Sequence, residues 1–208
     1  MLLGDRPVAD ALALHPAQFA QGQGLWQPLS AMFLDTAVGG GPLFVCLLAQ
    51  WFCGSPLEGY WSTWRYVVMI LVAGLVGYAA TGLLALVFEP VAAVPAMSGS
   101  LPMDLAAVVA FGVVFANTPY QPFGMSPVRG RVLAPFFAFL LLVVPLLSGV
   151  PWPALLPALI AALVALVFVT QPWRGSGKSG KVDKSKKTRS KAKKSHLKLV
   201  HDADDLLN

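Results

Sequence analysis

Long apolar stretches alternate with short polar connectors along the chain, and the stretches are of membrane-spanning length. A helix needs about 20 mostly apolar residues to cross a ~30 Å hydrocarbon layer. Five segments reach or approach that length: Leu29–Phe52, Tyr66–Phe88, Met103–Ala116, Val132–Leu147 and Ala154–Thr170. The third is short unless it continues past Asn117. Ser148–Pro153 is a tight connector and predicts an antiparallel hairpin of the last two segments. Pro135, Pro145 and Pro157 lie inside apolar runs and predict kinked helices. Trp26, Trp51, Tyr60, Trp61, Trp64, Tyr120, Trp152 and Trp173 punctuate the boundaries, and such rings favour the headgroup level. The pattern predicts an all-α fold, a polytopic transmembrane bundle of about five spans.

Composition agrees with this pattern. The 208 residues are 56% hydrophobic and 12% charged, whereas a soluble domain carries about 25% charge. Eleven of the 15 Lys and Arg lie between Arg174 and Lys198, leaving Arg6, Arg65, Arg129 and Arg131 for the body. That stock cannot cover a soluble surface, but lipid requires no such cover. The net charge of +5 is therefore a property of the tail, and it gives no reason to expect a nucleic-acid partner. Three regions follow: an N-terminal segment 1–25, a transmembrane domain 26–173 and a lysine-rich tail 174–208, expected to be disordered. With the tail in the cytoplasm, five spans put Arg65, Arg129 and Arg131 on the cytoplasmic side, as the positive-inside rule asks. The N-terminus is then lumenal or extracellular. Asp5 and Asp10 stand where a signal peptide would be basic, so residues 7–20 are expected to form a short interfacial helix instead.

Lys186, Lys187, Arg189, Lys191, Lys193 and Lys194 form the densest basic run. Near a membrane each is attracted to anionic headgroups by about 1 kcal/mol, so lipid is the expected partner of the tail. Ser185, Thr188, Ser190 and Ser195 are interleaved and could release it on phosphorylation. Asp202–Leu207 matches an acidic dileucine pattern. Gly175–Lys181 resembles a phosphate loop only in glycine content: Val182 stands where the motif requires Ser or Thr, and no strand precedes it.

Three acids in the body, Asp35, Glu89 and Asp104, fall near the same side in this arrangement. A carboxylate within a span usually faces a cavity or a partner, so the three could form an acidic, cation-attracting mouth. Alternatively, Glu89 and Asp104 are hydrated helix ends, Asp104 after Pro102 suiting a first helical turn. Gly39-Gly40-Gly41-Pro42 interrupts the first span. Broken helices mark ion sites in transporters, but the same run could be a packing notch. Ala73, Gly77 and Thr81 recur at four-residue spacing and predict a helix-packing face. Asn117–Pro122 ends the third span as a loop or a partly unwound segment. Cys46 and Cys53 read as small apolar thiols within a helix. No motif for a metal, a cofactor or catalysis is visible, and an enzyme is not expected.

Ala31-Met32 followed by Gly39-Gly40-Gly41 and Cys46-Leu47-Leu48-Ala49 resembles the glycine-kinked pore helix of the trimeric intracellular cation channels of endomembranes. Leu101–Val144 is similar to their late helices in length and texture, and the lysine-rich tail is similar too. The resemblance implies a homotrimer with a pore in each subunit, potassium-type flux, and residence in the endoplasmic reticulum or another endomembrane. That family has two inverted three-helix repeats and a seventh helix; this chain predicts five spans and shows no internal repeat. The expected function is thus a channel or transporter for monovalent cations. A non-conducting subunit or adaptor of a membrane complex is the other reading.

Overall fold

Glycine and proline set where the helices of this chain begin. A computed structural model describes residues 6–34, 40–120 and 128–170. Asp35, Gly39 and the basic tail with Lys186–Lys194 lie outside the described residues. The helices are α1 (Arg6–Leu12), α2 (Pro16–Ala20), α3 (Gln27–Ala31), α4 (Gly40–Ala49), α5 (Ser55–Trp61), α6 (Thr63–Leu84), α7 (Glu89–Ala92), α8 (Leu101–Val114), α9 (Gly130–Leu147) and α10 (Leu156–Thr170). A π-helical turn, Gln50–Gly54, joins α4 to α5, and a 3₁₀ turn, Trp152–Leu155, leads into α10. Two-residue strands, β1 (Pro119–Tyr120) and β2 (Val128–Arg129), pair antiparallel between α8 and α9. Otherwise the fold is helical.

Among the described residues, three helical stretches are long and apolar enough to cross a membrane: α6, α9, and the 3₁₀ turn with α10. Helix α8 is apolar but shorter. The first predicted span is displaced along the chain. Helical backbone runs continuously from Gly40 to Trp61 rather than from Leu29 to Phe52. Gly40, Gly41 and Pro42 therefore form the first turn of α4, not a break in mid-helix. The first backbone N–H groups of a helix have no partner within it, so a proline there costs little. Trp51, expected at a span boundary, falls in the middle of this run and is exposed. Pro157 likewise stands in the first turn of α10 rather than inside it.

Helix α6 shows how the bundle is built. Its buried face is Tyr66, Met69, Ala73, Gly74, Gly77, Tyr78, Thr81 and Gly82. Val72, Leu75, Val76 and Leu83 are exposed. Ala73, Gly74, Gly77, Thr81 and Gly82 make most of the inward face small, while large apolar residues point outward, which suits a lipid surround. The outer faces of α9 (Phe136, Phe139, Leu147) and α10 (Leu159, Leu163, Val167) repeat it. Gly77 is where α10 approaches most closely: a Cβ there would strike the Pro157 carbonyl oxygen and stand 3.3 Å from Ala161 Cβ. Thr81 returns its hydroxyl to the Gly77 carbonyl at 2.8 Å, which removes a polar group from the buried face. Helix α8 is buried along most of its length and occupies the centre, against α6, α9 and α10.

Ring contacts tie one end of the bundle together. Tyr60 packs on Phe115 beyond the end of α8, and Trp61 packs on Phe168 near the end of α10. The Arg65 guanidinium lies 5.3 Å over Trp61 and 5.8 Å over Phe168. Arg129 and Arg131 flank the start of α9 at this same, basic end. At the opposite end the N-terminal helices fold back on the bundle. Phe19 packs on Gly82, and Leu14 bridges to Met97. Residues 7–20 thus supply two short helices joined by a bend, with Leu14 fully buried.

Candidate functional site

The segment after α6 does not stay at the end of the bundle. Following α7 it turns back alongside α6, where the Tyr78 hydroxyl donates to the Gly99 carbonyl at 2.8 Å. Met103 comes level with Gly74, halfway along the 22-residue α6: a Cβ on Gly74 would lie 2.9 Å from Met103 Cγ. Helix α8 therefore begins near mid-depth, which explains its 14 residues. Asp104, in its first turn, is carried to that depth with it and is only 2% exposed.

A polar chain is built around this carboxylate. Gln50 Nε2 donates to Asp104 Oδ1 at 2.7 Å, and the Ser100 hydroxyl donates to Asp104 Oδ2 at 2.8 Å. The Tyr66 hydroxyl donates in turn to Gln50 Oε1. That last bond fixes the amide, because its oxygen is committed to Tyr66 and its nitrogen must face Asp104. Both oxygens of Asp104 are engaged in hydrogen bonds, one with Gln50 and one with Ser100, so the buried carboxyl group is satisfied on both sides. Ser100 precedes α8 at the capping position, yet its hydroxyl serves the carboxylate rather than a backbone N–H.

The π turn makes this meeting possible. Pro56 has no N–H for the Phe52 carbonyl, so regular α-helical bonding fails there. The backbone widens instead, with the Ser55 N–H bonding to the Gln50 carbonyl. Such turns alter which way the preceding side chains face and recur at functional sites. Gly54 completes the fit. A Cβ there would stand 2.6 Å from Gln50 Oε1 and closer still to the Tyr66 hydroxyl. The chain Ser100–Asp104–Gln50–Tyr66 runs from mid-depth to within one turn of the basic end, where Glu58 and Thr63 bond to each other at 2.7 Å.

Ser100 also lines a cleft of about 400 Å³ between the segment Ala96–Pro102, α4, α9 and the Ser148–Pro151 connector. Its walls include Leu43, Leu140, Leu141, Val144 and Leu155. Ser100 thus both lines the cleft and bonds to Asp104.

Of the acids expected to share one level, Asp104 is buried at mid-depth and Glu89 is exposed at the start of α7. The structure does not bring these two together. Ala73, Gly77 and Thr81 lie fully or almost fully inside, against α10 and neighbouring helices. Gly40 and Gly41 open α4. Gln50, Tyr66 and Ser100 were not singled out by the sequence. Gln50 carried a signal, as a lone amide in the apolar run Leu43–Phe52. Cys53 is buried and Cys46 half-buried, and the two are not joined in a disulfide. Among the described residues no group of His, Cys, Asp and Glu is placed to hold a metal. Comparison with protein-family models, with curated proteins and with solved structures finds no match to this chain.

Proposed function

We propose that the chain is an integral membrane protein that passes monovalent cations, with Asp104 as the charge that draws them into the bundle. The observation that carries this reading is the buried carboxylate at mid-depth, held ready by Gln50 and Ser100. A carboxylate in an apolar bundle is costly, and where it persists it marks an ion route. The polar chain to Tyr66 extends the route toward the basic end, and the cleft beside Ser100 opens it on the other side. Five crossings complete the arrangement: Gly40–Trp61, α6, the returning segment together with α8, α9 and α10. The N-terminal segment is then lumenal, and the basic tail is cytoplasmic, disordered and bound to anionic headgroups. The resemblance to trimeric endomembrane channels supports a homotrimer and a potassium-like ion. Asp35 precedes α4 in sequence and belongs to the same proposal as a second acid on the route.

Potassium flux into liposomes tests this. Asp104→Asn keeps shape and hydrogen-bonding capacity but removes the charge. Flux should fall at least tenfold at equal protein level, the proportion expected when about 1.4 kcal/mol of cation stabilisation is lost. Equal flux for wild type and Asp104→Asn would overturn the reading. It would favour the alternative, a non-conducting subunit whose buried polar chain serves only to specify helix register.

A further inference from the structure

We infer that the cleft beside Ser100 is a binding site for a protonated amine carried on a compact apolar body, a ligand that sits at the approach to Asp104. The inference rests on the reading of Asp104 as an ionised, cation-attracting group. Hydrogen bonding around Ser100 sets the ligand's first requirement. Ser100 is one of the residues lining the cleft, and its one hydroxyl proton is committed to Asp104 Oδ2 at 2.8 Å. Its oxygen has only lone pairs left to offer, so it seeks a donor. Neighbouring carbonyls are already engaged. Gly99 accepts from Tyr78, and the Ser100 carbonyl accepts from the N–H groups of Met103 and Asp104. Ser148, also in the lining, has its proton committed to the Val144 carbonyl at 2.9 Å, so its oxygen and Ser100 Oγ are both acceptors for an N–H group, and Ser100 Oγ is the one backed by a carboxylate.

The charge of that donor follows from what lies behind Ser100. A hydroxyl that donates to a carboxylate is polarised, and its oxygen becomes a better acceptor for a cation. Asp104 stands one hydrogen bond from the cleft and is screened from water by burial. Among the described residues none of those lining the cleft is basic. The rest of the ligand is set by the walls, where Leu43, Leu140, Leu141, Val144 and Leu155 present apolar surface. A volume of about 400 Å³ falls in the range of small-molecule sites. Positive charge, an N–H donor and a compact apolar body are thus each required by a different part of the cleft.

Three matched probes separate these requirements: 2-phenylethylammonium, its trimethylated quaternary analogue, and neutral 2-phenylethanol. Binding is measured calorimetrically to the full chain in lipid nanodiscs, with empty nanodiscs subtracted. The primary ammonium should bind at least roughly tenfold tighter than the alcohol, as a charge-assisted hydrogen bond gives. It should also bind more tightly than the quaternary ion, which has charge but no N–H. Val144→Trp, which fills the cleft from a half-buried position, should abolish specific binding. Ser100→Ala should level the primary and quaternary probes, and does so without adding bulk. Equal binding of all three probes to wild type, or an unchanged primary-ammonium affinity in both variants, overturns the inference. Neither assay uses ion flux. A protein that binds the amine but conducts nothing defeats the conduction reading alone, and one that conducts but binds no amine defeats this inference alone.

Discussion

At Gly54 one hydrogen atom in place of a methyl group decides whether a carboxylate can be held inside the bundle. The absent Cβ leaves room for the Tyr66 hydroxyl and the Gln50 amide to meet, and that meeting aims the amide nitrogen at Asp104. Gly54→Ala should force these groups apart and destabilise the fold by about 1–3 kcal/mol, the usual range for overpacking. Gln50→Leu removes the donor to Asp104 Oδ1 and the acceptor of Tyr66. It should cost about 2 kcal/mol, since buried polar groups lose a partner. Reversible unfolding in mixed detergent micelles measures both; wild-type stability in the two variants would show that the polar chain is not structural. The amide was visible in the sequence as a polar residue in an apolar run. Its partners were not, because the π turn shifts the helix phase after Gln50, and a regular helical count misplaces every face beyond it. Asp104 was visible too, but its depth depends on how the segment before α8 folds, which no local pattern encodes.

Elements were read better where a single helix carries the whole apolar run. The predicted spans Tyr66–Phe88, Val132–Leu147 and Ala154–Thr170 correspond to α6, α9 and α10 within a few residues. The run Leu29–Phe52 failed as one helix because hydropathy does not register backbone breaks: α3 ends at Ala31, and the next helix begins at Gly40. The strands at Pro119–Tyr120 and Val128–Arg129 are too short to leave a pattern. Gly77, one of the small residues at four-residue intervals on α6, lies against Pro157 and Ala161 of α10. The close approach at Gly77 gives a test at this scale. Gly77→Ala places a methyl against the Pro157 carbonyl oxygen and should cost about 1–3 kcal/mol. Val76→Leu, one position away on the exposed face, should stay within about 0.5 kcal/mol of wild type. Similar losses from both substitutions would show that α6 does not present this face to α10 in the membrane.

Among the described residues, exposed leucine, valine and phenylalanine girdle the helices, while Arg65, Arg129 and Arg131 gather at one end. This polarity gives the orientation a direct check. A membrane-impermeant maleimide should label Glu89→Cys from the lumenal face, and Gly59→Cys from the cytoplasmic face. Both positions are exposed, and the Cβ of Gly59 meets open space. Labelling of both from one face would contradict five alternating crossings. The depth at which α8 begins also has an electrical consequence. A membrane potential acts on a charge in proportion to the fraction of the field it crosses, about 2.3 kcal/mol per 100 mV for the full drop. A cation that reaches Asp104, level with the middle of α6, crosses roughly half of it, or about 1.2 kcal/mol per 100 mV. Occupancy of the carboxylate should therefore depend on voltage, changing severalfold for each 100 mV, with no moving helix required to sense it.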